Sequence, residues 1–239
     1  MIYERIMVFG AHPDDEIAMA RTIAKLSASG TDVTVVIMTD GCEGYNQPDM
    51  REAIVATRAR EARACDRVLG IATHINLGLP DMGLRDDKET VQRLISIIRE
   101  HRPDAVFTHG PSDPHRDHVT TSRVTKSACF HAGEPVALAL GAPWRPRFVY
   151  YHKGVDRALP RIFVDVTEFR EKRLEAEATQ KSQYAVFRKS ASDFDADIAS
   201  RRADRSPCFD CFWLAEWNRF QTLLPSGLEA PDNYYGERA

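Results

Sequence analysis

MVFGAHPDDEIAMA, residues 7–20, begins as an apolar strand, becomes His12-Pro13-Asp14-Asp15-Glu16, and then turns apolar again. Over residues 16–29 the apolar side chains recur at helical spacing, with Gly30 just past the end. Strand, tight turn and helix form the opening unit of an α/β fold. A dinucleotide-binding turn would carry GxGxxG, with bare backbone amides facing pyrophosphate. This turn has one glycine and three carboxylates, which would repel a phosphate. An imidazole beside carboxylates at the end of a buried strand suits a cation instead.

The alternation continues outward from this unit. Residues 32–38, 74–77, 104–108, 147–152 and 162–166 read as strands; residues 49–69, 88–101, 117–131 and 167–184 read as helices. The expected architecture is a Rossmann-like three-layer αβα fold with a mostly parallel sheet. It fills a single domain over residues 1–187, followed by a C-terminal appendage over 188–239. That last segment reads as polar and irregular until FWLAEWNRF, as if covering an edge or making an oligomer contact. Trp213 and Trp217 within it read as packing residues. Ligands of open parallel sheets bind beyond the carboxyl ends of the strands. This ranks the loops 10–16, 39–50, 77–87 and 108–118.

A chain of 239 residues that is 43% hydrophobic can bury one sizeable core. A net charge of −3 gives no reason to expect nucleic acid or an anionic membrane as partner. No apolar run approaches the roughly 20 residues of a membrane span. The start, MIYERIMVFG, has a charged pair where a signal peptide needs its apolar stretch, so a cytoplasmic location is expected. Five cysteines, an odd and scattered set, do not suggest a disulfide framework. Cys208-Phe-Asp-Cys211 has CxxC spacing, but no second pair completes a metal site, and it reads as two ordinary thiols.

The loop at 108–118 carries a second cluster, His109-Gly-Pro-Ser-Asp113-Pro-His115-Arg-Asp117-His118. Helix capping explains one or two of Asp14, Asp15 and Glu16, but neither His12 nor this second cluster. The most economical site takes His12, Asp15 and His118, a two-histidine, one-carboxylate set suited to catalytic zinc. The same set holds non-haem iron, so the ligands leave the metal open. Asp14, beside a ligand but free, can act as general base. His115 can stabilise an oxyanion if Asp117 orients its ring and keeps it protonated. Asp117 also stands where it would cap the following helix.

With these residues in place, the chain resembles the LmbE-like/PIG-L family of zinc-dependent N-acetylglucosamine deacetylases. Its two signatures, AHPDDE and HxDH, stand here as Ala11–Glu16 and His115–His118. Thr39-Asp-Gly-Cys-Glu-Gly44, Arg58-Ala-Arg-Glu61 and Leu77-Gly-Leu-Pro-Asp81 extend the likeness. Tyr150-Tyr151-His152 and Lys181-Ser-Gln-Tyr184 are similar to the bacillithiol-pathway branch, whereas Arg116 replaces the proline common there. The resemblance implies Zn2+, or another divalent ion, on His12, Asp15 and His118. It implies Asp14 as base, His115 as oxyanion stabiliser and Asp117 as its orienter. Arg58 and Asp81 become candidate contacts to sugar hydroxyls; the plain alternatives are an ion pair with Glu61 and a turn residue. The implied reaction removes an N-acetyl group from an N-acetylglucosamine-containing small molecule. Two rivals remain open: a related amidase acting on a thiol conjugate or other non-sugar amide, and a metal-dependent oxygenase or metal-binding module. Members of the family are often oligomeric, so a homo-oligomer fits.

Overall fold

A computed structural model describes residues 3–155, 159–184, 186, 190–203 and 206–215. Seven strands form a single sheet in the order β3-β2-β1-β4-β5-β7-β6. They are β1 (Arg5–Gly10), β2 (Asp32–Thr39), β3 (Thr73–Leu79), β4 (Ala105–Thr108), β5 (Phe148–Tyr151), β6 (Arg161–Asp165) and β7 (Phe209–Leu214). The pairs among β1 to β5 are parallel, and β7 runs antiparallel to both of its neighbours. The helices are α1 (Ala20–Ala28), α2 (Ile54–Leu69), α3 (Lys88–His101), α4 (Arg116–Ala132), α5 (Arg170–Glu177), α6 (Lys181–Tyr184) and α7 (Ala191–Ala203).

The central strands are apolar on both faces, as a parallel sheet covered by helices requires. Alternate residues of β1 and β2 go to opposite sides. Ile6, Val8, Val33, Val35 and Ile37 pack with α1, with Cys65 and Leu69 of α2, and with Ala176 of α5. Met7, Phe9, Val36 and Met38 pack with Leu94 and Ile98 of α3 and with Val124 and Ala128 of α4. The expected three-layer αβα fold is the observed one. No helix among the described residues is long and apolar enough to cross a membrane.

Several expected boundaries move. The helix expected over 16–29 begins as a 3-10 turn, Asp15–Met19, before α1. The one expected over 49–69 has a 3-10 turn at Pro48–Met50 and becomes α-helical only from Ile54. The one expected over 167–184 divides into a 3-10 turn (Thr167–Phe169), α5 and α6.

The C-terminal segment departs furthest from expectation. It supplies α7, and it does more than cover an edge, because β7 enters the sheet between β5 and β6. Its sequence alternates, burying Asp210, Phe212 and Leu214. Phe212 and Leu214 join the core, while Asp210 accepts from the Arg21 side chain and from the backbone and hydroxyl of Thr22. That anchors β7 to α1. Cys208 and Cys211 are free thiols. Trp213 packs against the second core cluster, whereas Trp217 lies outside the described residues.

Candidate metal centre

Four strand ends converge on one site. Gly10 ends β1, and a Cβ there would sit 2.9 Å from Asp15 Cβ and from Ile37 Cδ1, so only glycine lets the loop fold back. The fold-back is closed by Asp15, whose Oδ2 accepts from the backbone N–H of Ala11 and His12, both at 2.8 Å. Asp14 at the apex has φ 138°, ψ −9°, in the left-handed half of the map that side chains other than glycine rarely enter.

The three expected ligands meet. His12 Nδ1 lies 3.3 Å from His118 Nε2 and 3.6 Å from Asp15 Oδ2, and His118 Nε2 lies 3.4 Å from Asp15 Oδ1. Tetrahedral zinc with ligand bonds near 2.05 Å spaces its ligand atoms about 3.3 Å apart. The donor chemistry fits a divalent metal ion, and the spacing is of the right order, with His12 and His118 each approaching a different oxygen of Asp15. The same surroundings offer three further triads of ligand atoms: His12 with His115 and His118, Asp15 with His109 and His118, and His12 with Asp81 and Asp117.

Around these groups lie residues that the sequence reading did not assign. His109 is fully buried, stacks on His118 at 4.0 Å, and places Nε2 3.1 Å from Asp15 Oδ2. Asp113 Oδ1 lies 3.0 Å from His118 Nδ1. Lys153 Nζ stands 3.6 Å from Asp15 Oδ1. Both ring nitrogens of the buried His152 lack a partner among the described residues. His109 and Asp113 belong to the quoted histidine-rich loop and were within reach of the sequence. His152 and Lys153 follow β5 and obey the same strand-end rule.

Asp14 is held by Arg58, whose Nη2 lies 3.0 Å from Asp14 Oδ2 and donates to the Pro13 carbonyl at 2.6 Å. Arg58 is 3% exposed, and a Cβ on Gly44 would come within 2.5 Å of its Nη1. It does not pair with Glu61, which instead accepts from the backbone and hydroxyl of Ser182. Burial pushes the Asp14 carboxyl up to about 6, against the pull of Arg58. Glu16 is fully buried, accepts from the Asp14 N–H at 3.3 Å, and is lifted by burial to about 7. Burial disfavours charge on His12, but Asp15 and Asp81 outweigh it and raise the ring to about 10.

Asp117 does not make the expected contact. Its carboxylate accepts from the Met82 N–H at 2.7 Å and lies 3.5 Å from His12 Nε2. Its backbone N–H, not its side chain, meets the ring of His115, donating to Nδ1 at 3.2 Å. The reason is the start of α4. His115 is its N-cap, and its ring takes one of the unpaired amides of the first turn. The ring proton is thereby placed on Nε2. Asp81 Oδ1 likewise lies 3.1 Å from His12 Nε2.

A cavity of about 960 Å3 opens over this arrangement, lined by His12, Asp14, Asp15, Arg58, Asp81, His115 and His118. On the far side it reaches Gln180, Gln183, Tyr184 and Arg201 of the C-terminal third. Among the eight residues singled out in the sequence, Asp117 alone stands behind the wall, with no exposed surface.

The profile of the family described as PIG-L: GlcNAc-PI de-N-acetylase matches residues 7–129. A 1D-myo-inositol 2-acetamido-2-deoxy-alpha-D-glucopyranoside deacetylase of Streptomyces avermitilis is 31% identical over 179 residues, covering 62% of this chain and 61% of the relative. The match thus spans about three fifths of that relative's length. A diacetylchitobiose deacetylase of Thermococcus kodakarensis is 28% identical over 194 residues, 76% of this chain and 70% of its own. The structure of N,N'-diacetylchitobiose deacetylase from Pyrococcus horikoshii superposes with a TM-score of 0.77 at 24% identity, covering 94% of this chain and 88% of that one, and so shares the fold. Both signature loops lie inside the matched span, and the fold carried by them is the one seen here: the chain belongs to the PIG-L/LmbE family.

Proposed function

We propose that the protein is a zinc-dependent hydrolase that removes an N-acetyl group from an N-acetylglucosamine-containing small molecule. The observation that carries this reading is a ligand triad of His12, Asp15 and His118, beside a separately held carboxylate, Asp14, at the floor of one cavity. Relatives named as deacetylases of amino-sugar compounds support the substrate class. A zinc ion on the triad supplies Lewis acidity toward a water and the amide carbonyl.

The chain's own residues handle protons and charge. Asp14, raised toward neutrality by burial, accepts the proton of the attacking water and returns it to the departing amine. Arg58 holds that carboxylate in the wall of the cavity. His115, with Nδ1 occupied by the Asp117 amide, presents its Nε2 proton to the negative charge that develops on the carbonyl oxygen. Replacing His115 with alanine is expected to lower kcat by roughly 10^2- to 10^3-fold.

The test is acetate release from a panel of N-acetylglucosamine derivatives, with and without a chelator. The expected result is turnover of at least one derivative, loss with chelator and recovery on adding zinc. No turnover across the panel, or turnover indifferent to chelator and zinc, would overturn it. Release of longer acyl groups in preference to acetate would favour the amidase alternative.

A further inference from the structure

The unused nitrogen of His12 has two carboxylates behind it. Nε2 lies 3.1 Å from Asp81 Oδ1 and 3.5 Å from Asp117 Oδ2, and it is aligned on neither as a single linear hydrogen bond. The side chains of His12, Asp81 and Asp117 are 11%, 7% and 0% exposed. Asp81 follows β3, Asp117 opens α4, and His12 follows β1, so three loops meet at one imidazole nitrogen. Asp117 is also fixed to the loop that carries Asp81. Met82 adopts φ 59°, and its N–H reaches Asp117 Oδ2 at 2.7 Å.

We propose that Asp81 and Asp117 are positioning residues that act through His12: they hold its proton on Nε2, leave the Nδ1 lone pair facing Asp15 and His118, and thereby set metal affinity. This departs from the sugar-contact role that the resemblance implies for Asp81 and from the ring-orienting role it implies for Asp117. It rests on the reading of His12 as a metal ligand. A metal-bound histidine needs its second nitrogen held by an acceptor, and loss of that partner typically weakens metal binding 10- to 100-fold.

The test is zinc affinity of the full chain, by equilibrium competition with a chromogenic chelator. Wild type is compared with Asp81→Ala, Asp81→Asn, Asp117→Asn and His12→Ala, each first shown by circular dichroism to be folded. The expected order is wild type tightest, Asp81→Asn next because it keeps an acceptor, Asp81→Ala about 10- to 100-fold weaker, and His12→Ala without stoichiometric zinc. Nitrogen NMR of His12 in the zinc-loaded protein should show the Nε2–H tautomer in wild type and a mixture in Asp81→Ala. Wild-type zinc affinity and tautomer in folded Asp81→Ala, with a raised KM for the amino-sugar substrate, would overturn the proposal and return Asp81 to sugar binding. Stoichiometric zinc in His12→Ala would instead overturn the metal-site reading beneath it. Should Asp117→Asn not fold, the Asp81 pair decides alone.

Discussion

Asp14 has a backbone that its side chain makes costly. A residue with a Cβ at φ 138° carries strain on the order of 1–3 kcal/mol, whereas glycine occupies that region freely. Asp14→Gly should therefore be more stable than Asp14→Ala by about 1 kcal/mol, read as a difference in urea midpoints. Equal stability of the two would mean that the turn is unstrained. Asparagine has nearly the shape of aspartate, so Asp14→Asn disturbs the turn least while removing the base. We expect it to retain bound zinc and lose roughly 10^2- to 10^4-fold in kcat; full turnover would rule out Asp14 as the base. Where these residues gather was legible, because both motif loops sit at strand ends and their spacing is local. What each atom faces was not. Asp117 offers both an amide and a carboxylate, and only the N-cap geometry of α4 decides that the amide meets His115 while the acid turns to Met82.

At the scale of elements, α2 is fastened to β3 by a pair away from the cavity. His74 Nδ1 lies 2.8 Å from Asp66 Oδ1, and both side chains are largely buried. Burial disfavours charge on the ring, but the bond and charge of Asp66 outweigh it, and the pKa of His74 is raised. The folded value lies above the unfolded one, near 6.5. The stabilisation is therefore complete below about pH 6 and is lost as pH rises through the folded value. Asp66→Asn should cost on the order of 1 kcal/mol at about pH 6 and less at about pH 9, measured by denaturant unfolding at both. A penalty that does not shrink with pH would exclude a charged pair. The helices α3 and α4 and the strands β1, β2 and β4 were readable because their hydrophobic period runs through whole elements. The lead-in turns before α1 and α2 were not, since Asp15, Glu16 and Pro48 favour a helix start without saying whether the first turn is 3-10 or α.

Across the whole molecule, the deciding feature is a strand that joins out of sequence order. β7 was hidden in the sequence because six residues with a modest alternation carry no mark of partners that lie far upstream, β5 and β6. A chain cut after residue 187 loses α7 and β7, and with them, among the described residues, every backbone pairing of β6. Such a truncation should fail to give soluble protein with native-like near-ultraviolet dichroism, even though every proposed metal ligand precedes the cut. A soluble, cooperatively melting fragment would show that the sheet closes without β7. On the ribosome the same arrangement sets an order of events. The strands that carry the metal loops can pair as they emerge, but β6 is made well before the strand that must lie beside it, and it waits through the synthesis of α5, α6 and α7. Until β7 arrives, the outer side of β5 and the inner side of β6 are open templates for another chain. The nascent protein is thus most prone to self-association late in synthesis, after its chemistry has been laid down, and its yield should respond to growth temperature and chaperone supply more sharply than the stability of the finished fold would suggest.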